Sequence, residues 1–251
     1  MTSKNQEDWL SEVLMTLHTI DAVKTTAAGF GVYAGLLGME HGDFEALQGN
    51  IVPKELKIFA VSPFELPFPF GHEPAMTVVP NFLVTGILAI AVGLAIILWS
   101  AAFLHRQHGA AVLFLLSVLL LLVGGGFGPI SLLIASCIGS TRINQSLTWW
   151  RSHFPVSLRR TLANLWPWFF AAALLWVPAE FVAGQLFDLK NDHRQTLTNL
   201  NLMLSYPMLA FFALSLIAGF ARELQRQMSL DKTPPTTGAE RAAKRIMTRS
   251  A

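Results

Sequence analysis

Long stretches without a single Asp, Glu, Lys or Arg constrain this chain more than any other feature. Such residues are absent from Pro74 to His105, from Gln107 to Thr141, from Thr161 to Ala179 and from Gln195 to Ala221. A helix that crosses a bilayer needs about 20 consecutive apolar residues, so each block is long enough. A fifth stretch, 25–48, is less apolar because Glu40, Asp43 and Glu45 fall near its end. Only 14% of residues are charged and the mean hydropathy is +0.47. A soluble domain carries roughly 25% charged residues, so this much apolar surface calls for lipid.

The expected fold class is therefore all-α, a polytopic transmembrane helix bundle of about five spans, at 25–48, 76–104, 110–140, 161–186 and 198–222. An amphipathic segment, 1–23, precedes it and lacks the basic, apolar and small-residue succession of a signal peptide, so the first span would act as its own insertion signal. An interfacial helix is expected near 143–158, where Trp149, Trp150, Arg151, His153 and Phe154 mix rings with positive charge. The basic segment 223–251 closes the chain as a tail. It lacks interleaved aromatics, which argues against nucleic acid as a partner and for a lipid surface.

Five spans place the termini on opposite sides. With the C-terminus cytoplasmic, Lys54, Lys57, Arg142, Arg151, Arg159, Arg160 and the Lys/Arg from Arg222 to Arg249 lie inside, leaving Lys4, Lys24, Arg106, Lys190 and Arg194 outside. The positive-inside rule selects that orientation, with the tail carrying the decision. The predicted location is thus a cell membrane, multi-pass.

The block from Gln107 to Thr141 is too long for one ordinary span and too short for two of full length. Its middle holds Gly124, Gly125, Gly126, Gly128 and Pro129, and these residues cost a helix interior roughly 1 to 3 kcal/mol each. The third span is expected to kink or break there. The break either admits a close neighbour or exposes backbone groups to a ligand. Gly31, Gly35, Gly38 and Gly42 form a second pattern, a stripe along the first span. It would let another backbone approach, within the bundle, in a homo-oligomer or in a larger membrane complex.

Polar chemistry concentrates at the end of the first span. His41, Glu45 and Gln48 share a stripe beside the glycine face, so close packing would aim them inward. His72 and Glu73 follow through one connection and must emerge on the same side, with Asn81 at the head of the second span. Imidazole plus carboxylate suits a divalent metal, with His41, Glu45, His72 and Glu73 as candidate ligands. It equally suits a proton relay. The plainer reading is a helix end and loop in water. No HExxH, HxxxH or HxxHH box, CxxC or CxxCH occurs, so neither a membrane zinc peptidase, a di-iron desaturase nor a c-type haem protein is indicated, and the cofactor, whether metal, haem or quinone, is left open.

The runs AGLLGMEHGDFEALQGN (Ala34 to Asn50), GHEPAMTVVPNFLVTG (Gly71 to Gly86) and VGGGFGPI together resemble an uncharacterised group of small prokaryotic integral membrane proteins. The resemblance implies membrane architecture over the first three spans and carries no activity. The functional expectation is binding or translocation of a small solute, proton or ion through the His/Glu pocket. Its rivals are a metal-, haem- or quinone-dependent membrane enzyme and an accessory subunit of a membrane complex.

Overall fold

The computed structural model describes residues 21–59, 74–143, 145, 147–186 and 194–232. Among them are seven helices: α1 (Ala22–Leu47), α2 (Phe82–Ala102), α3 (Gly109–Leu122), α4 (Phe127–Ser140), α5 (Thr148–His153), α6 (Val156–Leu186) and α7 (Arg194–Lys232). Two short strands, β1 (Lys57–Phe59) and β2 (Pro74–Met76), pair antiparallel between α1 and α2. Asp21 starts α1 as its N-cap, its carboxylate accepting from Lys24 N at 2.9 Å. That bond satisfies one of the amides a helix start leaves open.

Helix α1 is the axis of the bundle, and its glycines explain why. A Cβ on Gly35 would lie 2.7 Å from Gly93 O, and one on Gly42 would lie 2.7 Å from Gly86 O. A Cβ on Gly93 would return the contact to Gly35 O at 2.7 Å. The backbones of α1 and α2 thus touch where each lacks a side chain, the small-residue packing that closely apposed helices use. Gly31 meets Ser100 of α2, and Gly38 takes Leu120 of α3. The stripe expected to let another backbone approach thus takes two helices of its own chain.

The largest departure from expectation is the third span. Trp99 Nε1 donates to Gly109 O at 3.0 Å, so α3 begins beside the end of α2. It ends where Val78 N donates to Leu122 O at 2.9 Å, just before α2 begins. α4 then returns: Gly126 abuts His41, whereas Ser136 Oγ donates to Ala27 O at 2.6 Å, fourteen residues back along α1. The glycine segment reverses the chain, making 110–140 an antiparallel hairpin of two 14-residue helices and not one kinked span. Gly124 and Gly126 have φ of 91° and 76°, the left-handed region that glycine enters without strain, and this lets so short a segment turn.

Two further boundaries shift. Residues 76–81, expected as the start of the second span, are strand and turn, because Asn81 caps α2 by accepting from Val84 N at 3.0 Å. The helix expected to end at 222 continues to Lys232 in α7. The interfacial helix expected over 143–158 contracts to the six residues of α5. There Trp150 packs on Phe220 of α7, and exposed Trp149 stacks on His153 at 4.4 Å.

Helix α6 runs parallel to α1, with Trp166 Nε1 donating to Thr26 Oγ1 at 2.8 Å and Phe170 against Phe30. α7 runs back along it, through Trp176 on Phe211 and Arg222 to Ala163 O at 3.3 Å. Six described helices thus alternate in direction between an Asp21 end and a Gly49 end.

Their outer faces are apolar. Leu83, Ile87, Leu94 and Leu98 of α2, Phe114, Leu115 and Val118 of α3, and Leu158, Leu165, Trp168, Leu175 and Val182 of α6 are all exposed. Among the described residues two stretches, Phe82–Ala102 and Tyr206–Ser229, are long and apolar enough to cross a membrane. Only 33% of the first is buried inside the protein, the reverse of a soluble core helix.

Replacing Gly86 by Ala forces the α1 and α2 backbones apart and is expected to cost about 1 to 3 kcal/mol as overpacking. At Gly49 nothing lies within 4 Å, so Ala there meets only its left-handed φ of 79°. Unfolding in mild detergent should give the Gly86→Ala protein the lower midpoint of the two.

Candidate functional site

His41 and Glu45 lie one turn apart on α1, on the face turned toward the α3–α4 turn. His41 is 5% exposed and Glu45 is 0% exposed. A Cβ on Gly124 would collide with the Glu45 carboxylate and one on Gly126 with the His41 ring. The glycine break and the polar stripe, separate features in the sequence, are one site. The glycines make room for the two side chains, and the turn covers them.

A hydrogen-bond chain holds the turn in place. Thr85 of α2, fully buried, donates through Oγ1 to Val123 O at 3.1 Å. Thr77 Oγ1 bonds Thr85 Oγ1 and accepts from Val79 N at 3.1 Å. Since Thr85 spends its proton on Val123, Thr77 is the donor between the two hydroxyls. Gly124 N donates to Met76 O at 2.9 Å, Gly125 N to Leu120 O at 2.9 Å, and Thr77 N to Leu56 O at 2.9 Å. The segment after β2 is thereby laid over the turn as a pinned cover.

Against these satisfied groups one stands out. Both Glu45 oxygens are buried and have no hydrogen-bond partner among the described residues. Burying a carboxyl group without partners costs several kcal/mol at roughly the upper end of polar-group penalties. Such a group has three remedies: a proton, a cation, or a donor brought by a ligand.

Two of the other expected site residues, Gln48 and Asn81, make bonds elsewhere. Gln48 Nε2 reaches back to Phe44 O at 3.4 Å, a bond local to its own helix. Asn81 is the α2 cap and clamps Asn50 Oδ1, so it orders the connection instead of lining a pocket. Gly128 and Pro129 belong to the first turn of α4, where Ser131 Oγ bonds Gly128 O at 2.7 Å. His72 and Glu73 lie outside the described residues. Thr77 and Thr85 went unnoticed in the sequence because a threonine in an apolar helix or strand carries no mark of its tertiary partner.

Among the described residues no three His, Cys, Asp or Glu side chains come together in a way that could hold a metal ion. Of the four candidate ligands, His41 and Glu45 are the two whose places are described. Comparison with protein-family models, curated proteins and solved structures finds no match.

Removing the Thr85 hydroxyl leaves Val123 O and Thr77 without their partner, so Thr85→Val should destabilise by about 1 to 3 kcal/mol. Glu45→Met does the opposite by deleting an unpartnered polar group of similar volume. Its thermal midpoint should equal or exceed that of the wild type, as site residues that serve function at the expense of stability do.

Proposed function

We propose that the chain is a multi-pass membrane protein in which Glu45, with His41 one turn away, binds and relays protons. The observation that carries this reading is the Glu45 carboxyl group, wholly buried, unpartnered, and set against a glycine turn.

The bilayer assignment is supported by the apolar outer faces of α2, α3 and α6. A soluble monomer rarely exposes contiguous apolar patches beyond a few hundred Å², whereas these cover whole helices. Helix α2, at 21 residues, is about 31 Å long, matching the roughly 30 Å hydrocarbon core. The 14-residue α3 and α4, about 21 Å each, are short for that core. As a hairpin reaching from the Asp21 end toward the Gly49 end, they still close every helical backbone bond, as the bilayer demands.

The hairpin also alters the reading of orientation. With it, Lys24 and Arg106 join Arg142, Arg151, Arg159, Arg160, Arg222, Arg226 and Lys232 at the Asp21 end. Lys54, Lys57 and Arg194 stand at the other. The asymmetry favours a cytoplasmic Asp21 end, and it no longer rests on the tail. The C-terminus stays cytoplasmic in this reading, while the start of α1 moves to the same side.

In this frame Glu45 lies about 6 Å, and His41 about 12 Å, below the level at which α2 begins, counting 1.5 Å per residue along α1. Ionisable groups inside a membrane are rare and mark ion or proton pathways. A proton fits better than a metal ion because the nearby carbonyls are engaged. Met76, Leu120 and Leu122 accept backbone amides, and Val123 accepts Thr85. A hard cation takes six or more oxygen ligands, and zinc takes about four ligands. A proton needs only the carboxyl group, and imidazole is the side chain best suited to exchange it near neutral pH.

The purified protein in liposomes containing a pH-sensitive dye tests this. Under an imposed potential, wild type should pass protons, and Glu45→Gln and His41→Ala should each slow passage about tenfold or more, in line with the loss of a general acid–base group. Asp43→Asn, exposed on the same helix, should have no effect. Equal rates for wild type and Glu45→Gln would falsify the relay.

A further inference from the structure

The Asp21 end holds a buried charge that the Glu45 relay does not use. Arg159, in the first turn of α6, is 7% exposed and its Nε has no hydrogen-bond partner among the described residues. One turn further on, Ala163 O accepts from Arg222 Nη1 at 3.3 Å, so antiparallel packing sets the level of Arg226 across from Arg159. The buried carboxylate of that region, Glu223, is already engaged. Arg226 binds it with two nitrogens, at 2.7 and 2.6 Å, and Gln227 adds a third bond at 3.2 Å. Arg222 itself lies over the Trp166 ring, 5.0 Å from its centre.

Arg159, Arg222 and Arg226 therefore share this α6–α7 face, where Glu223 is bound by Arg226 and Asp21, the cap of α1, also bears on Arg226. A guanidinium stays charged at any working pH and presents a planar fork of donors suited to phosphate. Burying a guanidinium nitrogen without an acceptor is unfavourable, so Arg159, with its Nε in that state among the described residues, is a cation placed to meet an anion. The surroundings indicate what kind. Leu158 and Trp168 of α6 and Trp149 of α5 are exposed at the same end. Indole rings and aliphatic side chains beside a basic group suit the headgroup boundary, where phosphate and acyl chain meet.

We infer that this end of the bundle binds a phosphate group, that of an anionic lipid headgroup, with Arg159 gripping it. Basic pockets between helices on the cytoplasmic side take such headgroups. The inference rests on the membrane reading of the bundle and not on the proton relay. Failure of the membrane reading would appear as a chain that stays in solution without detergent. Failure of this inference would appear as a detergent-solubilised protein indifferent to Arg159.

The test is lipid binding by the full chain in mild detergent, read by native mass spectrometry with phosphatidylglycerol and phosphatidylcholine. Wild type should hold phosphatidylglycerol about tenfold or more tightly than phosphatidylcholine, the scale of a charge-assisted two-pronged contact. Arg159→Gln should remove that preference and Arg160→Gln, exposed next to it, should keep it. Arg159→Lys, which retains the charge without the fork, guards against a glutamine variant that fails to fold and should lower the preference about threefold or more. Displacement of phosphatidylglycerol by inorganic phosphate would make the ligand a free phosphate and overturn the lipid assignment, and resistance to it would support that assignment. An undiminished preference in both Arg159 variants, or none in wild type, would overturn the site.

Discussion

Contact between bare backbones on α1 is the constraint from which the remaining architecture follows. Where Gly35 and Gly42 meet Gly93 and Gly86, the two helices come closer than any side chain would allow. In the bilayer proposed for this bundle, lipid tails are as apolar as leucine, so packing of small surfaces has to hold the helices together. Once α2 occupies that face, the neighbouring faces of α1 are left to the α3–α4 hairpin, α6 and α7. His41 and Glu45 lie on the hairpin's face, so they are dry because the glycines beside them are bare.

The hairpin turn shows the same economy at a second level. Gly124 and Gly126 adopt left-handed dihedrals that reverse the chain within four residues, and their missing side chains leave the volume that Glu45 and His41 fill. One residue type solves a conformational and a steric problem at the same positions. Thr77, Thr85 and the amides of Val78 and Gly124 then satisfy the turn's backbone so thoroughly that nothing remains for the carboxyl group. Among the described residues Glu45 finds no partner because its neighbours are paired with one another.

Among the described residues the unpartnered Glu45 oxygens and Arg159 Nε lie near opposite ends of the bundle, and the two groups differ in kind. Glu45 has a proton as its simplest remedy, whereas the Arg159 guanidinium, all donors, calls for an acceptor, and an anion meets it best. The first suits exchange, since a proton can leave as easily as it arrives. The second suits anchoring, since a guanidinium and a phosphate hold each other in a fixed geometry.

Much of this was legible in the residues themselves. Uncharged blocks delimit the apolar helices because a membrane-length run of apolar residues has few other uses, and the spacing of Gly31, Gly35, Gly38 and Gly42 marks a contact face because helical periodicity is local. The four-and-three spacing of His41, Glu45 and Gln48 likewise names a shared stripe, although Gln48 also bonds back to Phe44 of its own helix. The hairpin was not legible. A run of apolar residues with a glycine break reads the same whether the chain bends or returns, and two 14-residue helices fall below the length rule for independent spans. Nor could spacing reveal which backbone fills a glycine face, that Asn81 caps α2, or that the turn covers Glu45. The sequence by itself determined which segments are helical and which faces are small, polar or apolar, because those follow from the residues within a few positions. Only the tertiary structure decided that the chain reverses at Gly124–Gly126 and meets Glu45 there, because that contact joins residues some eighty positions apart and depends on how the intervening helices pack.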